Sequence, residues 1–269
     1  MTENIPKTNN VLQVRGLEVS FNTPAGPAKA VDGISFDVRK NEVFGIVGES
    51  GSGKTVTALS ILRLLGGAGK ITGCGIFFGG TDLLKAKEES LRDIRGARIS
   101  MVFQEPASSL DPVFTAGYQI GEAALAHGKT GASAARDAAI EMLRVVHISE
   151  PEKVYSSYPH QLSGGTKQRV SIAMALVNSP ELVIMDEPTT ALDVTIQSEI
   201  LDLISEIADK KKVSVLFISH DLGVINRVCR RVAVMRRGKI VESGDKDAIL
   251  KNPSNSYTVS LLASARALS

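Results

Sequence analysis

The stretch Gly48-Glu49-Ser50-Gly51-Ser52-Gly53-Lys54-Thr55 constrains this chain more than any other. It fits the pattern G-x-x-x-x-G-K-[ST], in which a glycine-rich loop wraps a phosphate chain. The pattern carries weight only between a strand and a helix, and that is its setting. Before it, Val43-Phe44-Gly45-Ile46-Val47 is apolar at nearly every position and of strand length. Such a run suits a central parallel strand covered on both faces. After it, the sequence predicts a helix from about Lys54 to Leu65, stopped by Gly66 and Gly67. Glycines at 48, 51 and 53 let the backbone turn tightly and come close to phosphate oxygens, and the helix aims its positive end at the same anion. Lys54 is expected to reach the β- and γ-phosphates and the Thr55 hydroxyl to hold Mg²⁺, with Ser50 and Ser52 completing the loop's contacts.

Strands and helices alternate along the rest of the chain. Val11–Phe21 reads as a strand, broken at Gly26 and Pro27 and resumed over Ala30–Val38. Ile99–Phe103, Val183–Met185 and Val213–Ile218 are further apolar strands, with a crossover helix over Gln197–Ala208. This alternation predicts a parallel sheet with right-handed crossovers. From about Glu105 to Gln161 the pattern becomes helical, with Gly117–Ala126 and Ala132–Val146 rich in helix formers. We read an α/β core over about 11–104 and 166–245, a helical subdomain inserted over about 105–165, and a short tail over 251–269. Val232–Met235 and Lys239–Glu242, split by Arg237-Gly238, form a hairpin pattern near the end of the core. A helix is expected after Gly165, burying Ile172, Ala173, Ala175 and Leu176.

Other polar residues fall where phosphate chemistry needs them. Leu182–Met185 is apolar and ends in Asp186 and Glu187. Asp186 is expected to hold magnesium and its water, and Glu187 to polarise the attacking water as general base. Gln104 follows a strand, and its amide oxygen can ligate Mg²⁺ and orient water. His220 ends a strand, and its imidazole can donate to a γ-phosphate. Both occupy C-terminal strand ends, where open α/β sheets bind ligands. Ser163-Gly164-Gly165 opens a helix: Ser163 is a good N-cap, and the glycines expose backbone donors to an anion.

Composition excludes several classes. A net charge of +2 over 269 residues does not point to nucleic acid as the main partner. The two cysteines, Cys74 and Cys229, cannot build a disulfide framework or a four-cysteine cluster, and they fit a reducing, cytosolic setting. Met1–Asn10 is polar, without the apolar stretch of a secretory signal. No run approaches ~18 consecutive apolar residues, so no membrane span is expected. His127 and His147 lack partners at metal spacing and read as surface or packing residues. The arginines at 227, 230, 231, 236 and 237 read as a solvated face.

The phosphate loop, Gln104, Leu162-Ser163-Gly164-Gly165, Asp186-Glu187, Ala191-Leu192-Asp193 and His220 occur in that order. From about Val11 to Ala263 the chain resembles the ATP-binding cassette of ABC transporters. The resemblance implies a phosphate-loop NTPase of α/β class. Its parallel-sheet core would carry an N-terminal antiparallel β region and an inserted α-helical subdomain. ATP and Mg²⁺ would be its cofactors. It further implies that cassettes work in head-to-tail pairs, each ATP lying between the phosphate loop of one and the Ser163–Gly165 signature of the other. Asp193 would sit at that interface, and Phe21 falls where the family stacks an aromatic on adenine.

Val47–Lys54, Val102–Pro106 with Ser109–Pro112, and Tyr158–Gly165 resemble most the ATPases of dipeptide, oligopeptide and nickel importers. That branch implies an ATPase at the cytoplasmic face of the inner membrane. Its partners would be two transmembrane permease subunits, a second ABC ATPase subunit and, indirectly, an extracytoplasmic solute-binding protein, with no nucleic acid. A heterodimer is the first expectation and a homodimer the alternative. Di- and oligopeptides are the first expected solutes. The alternatives are nickel or a metal chelate, another solute, and a non-transport ABC ATPase. Two departures stand out: Thr166-Lys167 where the branch more often has Met-Arg, and Asn255-Ser256 where His-Pro is usual.

Overall fold

The structure is a computed structural model and describes residues 9–24, 26–67, 69–73, 75–105, 109–127 and 131–268. In chain order the elements are β1 (Asn10–Thr23), β2 (Gly26–Arg39), β3 (Val43–Val47), α1 (Lys54–Ile61), β4 (Gly69–Thr72), β5 (Gly75–Phe78) and β6 (Thr81–Asp82). Next come α2 (Glu88–Ile94), β7 (Ile99–Val102), α3 (Ala116–Leu125), α4 (Ala132–Val145), α5 (Pro151–Tyr155), α6 (Gly164–Leu176), β8 (Leu182–Asp186) and α7 (Val194–Lys211). The chain ends in β9 (Ser214–Ser219), α8 (Leu222–Val228), β10 (Arg231–Arg236), β11 (Lys239–Asp245), α9 (Lys246–Lys251) and α10 (Ser256–Leu268). It divides into two compact units, 1–91 with 214–269, and 92–213.

In the first unit, β1 and β2 form a long antiparallel hairpin, with β4 and β5 pairing on β1. The break expected at Gly26 and Pro27 lies earlier: both belong to β2, with Pro27 opposite Asn22. Lacking an N–H, proline belongs at a strand start or edge, and Pro27 is the second residue of β2. The parallel strands of this unit place β3 between β9 and β10, and β11 returns antiparallel on β10. All residues of β3 and β9 are buried, as strands covered on both faces require. Arg231 joins this sheet to the hairpin. Its guanidinium lies 5.2 Å over the Phe44 ring and pairs with Asp37 and Glu42 at 3.4 and 3.2 Å. Helix α1 stops short of Leu65, because Arg63 takes a left-handed φ of 53° and Leu64 N–H donates to Leu59 C=O.

In the second unit, β7 and β8 pair in parallel and α6 packs on β7. The helical region carries α3, α4 and α5, and no strand is present among its described residues. Two side-chain caps set the helix starts. Ser163 accepts from Thr166 N–H, so α6 begins at Gly164 rather than after Gly165. Asp193 accepts from Ile196 N–H, so α7 begins at Val194, three residues before the expected Gln197. The buried face of α6 includes Ile172, Ala173, Ala175 and Leu176, as its periodicity requires. Buried Gln119 organises the turn before α3, donating to the carbonyls of Asp111 and Phe114 and accepting from Asp111 N–H. No helix among the described residues is long and apolar enough to cross a membrane.

Candidate active site

The phosphate loop leaves the C-terminal end of β3 and enters α1 through Gly53, which takes a left-handed φ of 104°. Any Cβ at Gly53 would also lie 2.4 Å from the carbonyl oxygen of Ala30. Gly48 is fixed by space: a Cβ there would fall 2.1 Å from Met235 O and 2.9 Å from Ser52 Oγ. Ser52 C=O accepts from Gly238 N–H at 2.9 Å. The β2 and β10–β11 backbones thus press on the loop from outside, which leaves its inner face to a ligand.

Lys54 is 4% exposed, and its ammonium donates to the carbonyls of Gly48 at 2.8 Å and Glu49 at 3.0 Å. Burying an ammonium is costly without charged or strongly polar partners. An anion inside the loop is a natural further partner for such a buried cation. Ser52 Oγ is buried and makes no hydrogen bond. That orphaned hydroxyl, beside the cradle that a Cβ at 48 would fill, fits a phosphate oxygen. Ser50 and Gly51 lie exposed on the loop, and Thr55 is exposed in the first turn of α1.

His220 follows β9. Its neighbour Ser219 pairs with Val47, the residue before Gly48, so His220 and the loop leave the same end of adjacent parallel strands. Phe21 sits in β1, half-buried, and a Cβ at Gly69 would lie 3.1 Å from its ring.

The second unit assembles a carboxylate site of its own. Val102 pairs with Met185, so Gln104 and Glu187 leave the same ends of β7 and β8. Glu187 is 8% exposed, and its Oε2 accepts from Gln104 Nε2 at 3.2 Å and from Thr190 Oγ1 at 3.1 Å. Its backbone lies in the left-handed region at φ 48°, an uncommon state for a non-glycine that costs roughly 1–2 kcal/mol. Such strain, held by surrounding structure, gathers at functional positions. Asp186, 2% exposed, ends β8. Asp186 at the end of β8 and the Gln104 amide after β7 are hard oxygen donors of the kind Mg²⁺ takes, and the Thr55 hydroxyl in the first turn of α1 is a donor of the same kind. Among the described residues no cluster of three or more His, Cys, Asp or Glu side chains could hold a metal ion.

The signature serine caps α6, and Thr166 Oγ1 lies 2.9 Å from its hydroxyl. A Cβ at Gly165 would lie 2.6 Å from Ile196 Cγ2, so this glycine lets the starts of α6 and α7 approach closely. Both helices border an open cleft of about 410 Å³ that includes Ser163, Gly165, Thr166 and Arg169. Asp193 already places its carboxylate at the start of α7. That leaves the α6 end as the one suited to an anion.

Sequence reasoning missed Thr190, Met235 and Gly238, whose contacts with Glu187 or the loop are not signalled by local spacing. His147 lies 3.3 Å from Glu206, as a surface ion pair does. Cys229 is buried, and burial pushes its thiol pKa far up, so it is not a nucleophile. Cys74 lies outside the described residues.

A family model described as ABC transporter matches residues 31–190. The chain is 49% identical over 260 residues to the probable peptide ABC transporter ATP-binding protein y4tR of Sinorhizobium fredii, spanning 96% of this chain and 78% of that protein. It is 50% identical over 255 residues to the dipeptide transport ATP-binding protein DppD of Bacillus subtilis, spanning 94% and 76%. Among solved structures it is similar to a dimeric, post-hydrolysis ATP-binding cassette, MJ0796, bound to ADP and Pi. The TM-score is 0.78 and the identity 25%, covering 87% of this chain and 98% of that one.

Proposed function

This chain belongs to the ABC transporter ATP-binding family, and we propose that within it the chain drives a membrane importer for di- and oligopeptides. It has the cassette fold, and it binds and hydrolyses ATP. The observation that carries the importer reading is identity of 49–50% over 94–96% of the chain to ATP-binding proteins named for peptide and dipeptide transport.

The residue roles we propose draw on the resemblance and are supported by the local geometry where it is given. Loop amides from Gly48 to Thr55 and the buried Lys54 ammonium bind the phosphate chain, with Lys54 leaving the carbonyls of Gly48 and Glu49 to do so. Gln104 and Thr190 fix the Glu187 carboxylate, which accepts the proton of the attacking water. Thr55, Asp186 and Gln104 would hold Mg²⁺, which would screen the negative charge of the phosphates. His220 donates to the γ-phosphate and Phe21 stacks on the base. In a second cassette, Ser163 and Gly165 present the α6 end to the nucleotide of the first, and Asp193 lies at that interface. The chain lies at the cytoplasmic face of the membrane, and two permease subunits, a second ATPase of related sequence and, indirectly, an external solute-binding protein complete the assembly.

The test is an affinity purification of this chain carrying Glu187→Gln from gently solubilised membranes with Mg-ATP. Two multi-span permeases and a second cassette ATPase should co-purify, and the permeases should bring peptide uptake with them. Recovery of ribosomal or DNA-bound proteins, with no integral membrane partner, would sink the importer reading.

A further inference from the structure

The C-terminal segment reaches the phosphate loop at two points. The first is Gly238 N–H on Ser52 C=O, from the β10–β11 turn. The second comes from α10. Glu49 N–H donates at 3.4 Å to the hydroxyl of Tyr257, a side chain 6% exposed. The same Glu49 residue offers its carbonyl to Lys54 Nζ at 3.0 Å. Tyr257 therefore holds one side of a residue whose other side holds the phosphate-binding lysine.

The ring is anchored independently of its hydroxyl. The Arg236 guanidinium, at the end of β10, lies 4.5 Å over the Tyr257 ring centroid. Asn255 Oδ1 accepts from Tyr257 N–H at 2.9 Å. The Glu242 carboxylate of β11 accepts from Ser254 N–H at 2.7 Å, Ser254 Oγ at 2.8 Å and Asn255 N–H at 3.3 Å. Ser254 and Asn255 thus fix the turn that starts α10. Burial raises the pKa of the Tyr257 hydroxyl, so it stays neutral at physiological pH. A phenylalanine would fill the same space and keep the Arg236 contact, so packing alone does not require the hydroxyl.

We propose that Tyr257 is a positioning residue for ATP, fixing the Glu49 peptide and through it the loop that Lys54 serves. This rests on the loop being the ATP site. The tail then acts on nucleotide affinity, and a partner that displaced α10 would change how tightly the subunit holds ATP.

The experiment compares the full chain with Tyr257→Phe and Tyr257→Ala. It measures binding of a methylanthraniloyl-labelled ATP by fluorescence, KM and kcat for Mg-ATP, and the melting temperature without nucleotide. Losing the hydroxyl's contacts with Glu49 should weaken binding and raise KM about two- to tenfold in Tyr257→Phe. Its kcat should stay at the wild-type value and its melting temperature should fall by no more than about 2–4 °C, while Tyr257→Ala lowers the melting temperature further. If Tyr257→Phe bound the labelled nucleotide as the wild type does, or lost kcat and melting temperature together, the positioning role would be refuted. Failure of the wild-type chain itself to bind the probe would instead refute the ATP reading.

Discussion

Two glycines of one loop should fail for different physical reasons when each is replaced by alanine. At position 48 the added Cβ would lie 2.1 Å from Met235 O, against a floor of 3.0 Å for real Cβ contacts, so the backbone must shift by about 0.9 Å. Met235 belongs to β10, whose residues Arg231 to Val234 pair with β3, so the shift pulls on a central sheet ladder. Overpacking against backbone costs about 1–3 kcal/mol, here at the upper end because no flexible side chain can yield. At position 51 nothing lies within 4 Å, but φ is +76°. Forcing alanine there costs about 1–2 kcal/mol. Both variants recover about 0.4–1 kcal/mol because alanine restricts the unfolded chain. The net loss is then about 2 kcal/mol for Gly48→Ala and about 0.5 kcal/mol for Gly51→Ala. At roughly 2–4 °C per kcal/mol in a chain of this size, Gly48→Ala should melt about 3–6 °C below Gly51→Ala. Differential scanning calorimetry without nucleotide makes the comparison. If the two variants melted together, or Gly51→Ala melted lower, the packing account of the loop would be wrong.

Glu187→Gln should keep ATP binding while lowering single-turnover hydrolysis by about 10²–10⁴-fold, the usual contribution of a general base. Unchanged turnover would remove Glu187 from the chemistry. Ser163→Ala strips the α6 cap and should cost about 1 kcal/mol, read as a melting shift of about 2–4 °C. No shift would mean that Thr166 N–H finds another partner. For Glu242, burial pushes the carboxyl pKa up, but the neighbouring Thr258 and the hydrogen bonds from Ser254 and Asn255 outweigh it and leave the folded pKa below 4.5. A depressed carboxylate contributes stability that is whole above the unfolded pKa and is lost as pH falls through the folded one. Proteolysis of the tail should therefore rise below about pH 4.5 in the wild type, using an acid-active protease. In Glu242→Gln it should be higher already at neutral pH and change less with acid. Equal pH profiles would refute the Glu242 anchor.

The sequence showed the parts of the site that are written locally. A strand, a glycine-rich loop and a helix occupy consecutive residues from 43 to 61, and each step has a short-range cause. The cap at Ser163 is likewise a matter of three neighbours. Helix ends proved harder, since Arg63 at φ 53° closes α1 early without a glycine to announce it. The left-handed backbone of Glu187 was equally silent, because its residue type signals chemistry and not conformation.

What the sequence could not show is what presses on the loop from far along the chain. Gly48 looks like a residue chosen for phosphate approach, yet the nearest obstacle to a side chain there is the carbonyl of Met235. Tyr257 is 208 residues from Glu49, and no periodicity links them. The motif therefore names the ligand, whereas the rigidity that makes the loop a preformed anion site comes from β2, the β10–β11 turn and the tail. A hydrogen bond to such a loop matters beyond its own small energy. Preorganisation lowers the ordering cost that binding would otherwise meet, and affinity rises by that amount without a new contact to the ligand. The tail is thus the segment through which ATP affinity can be adjusted while the phosphate-binding residues stay unchanged.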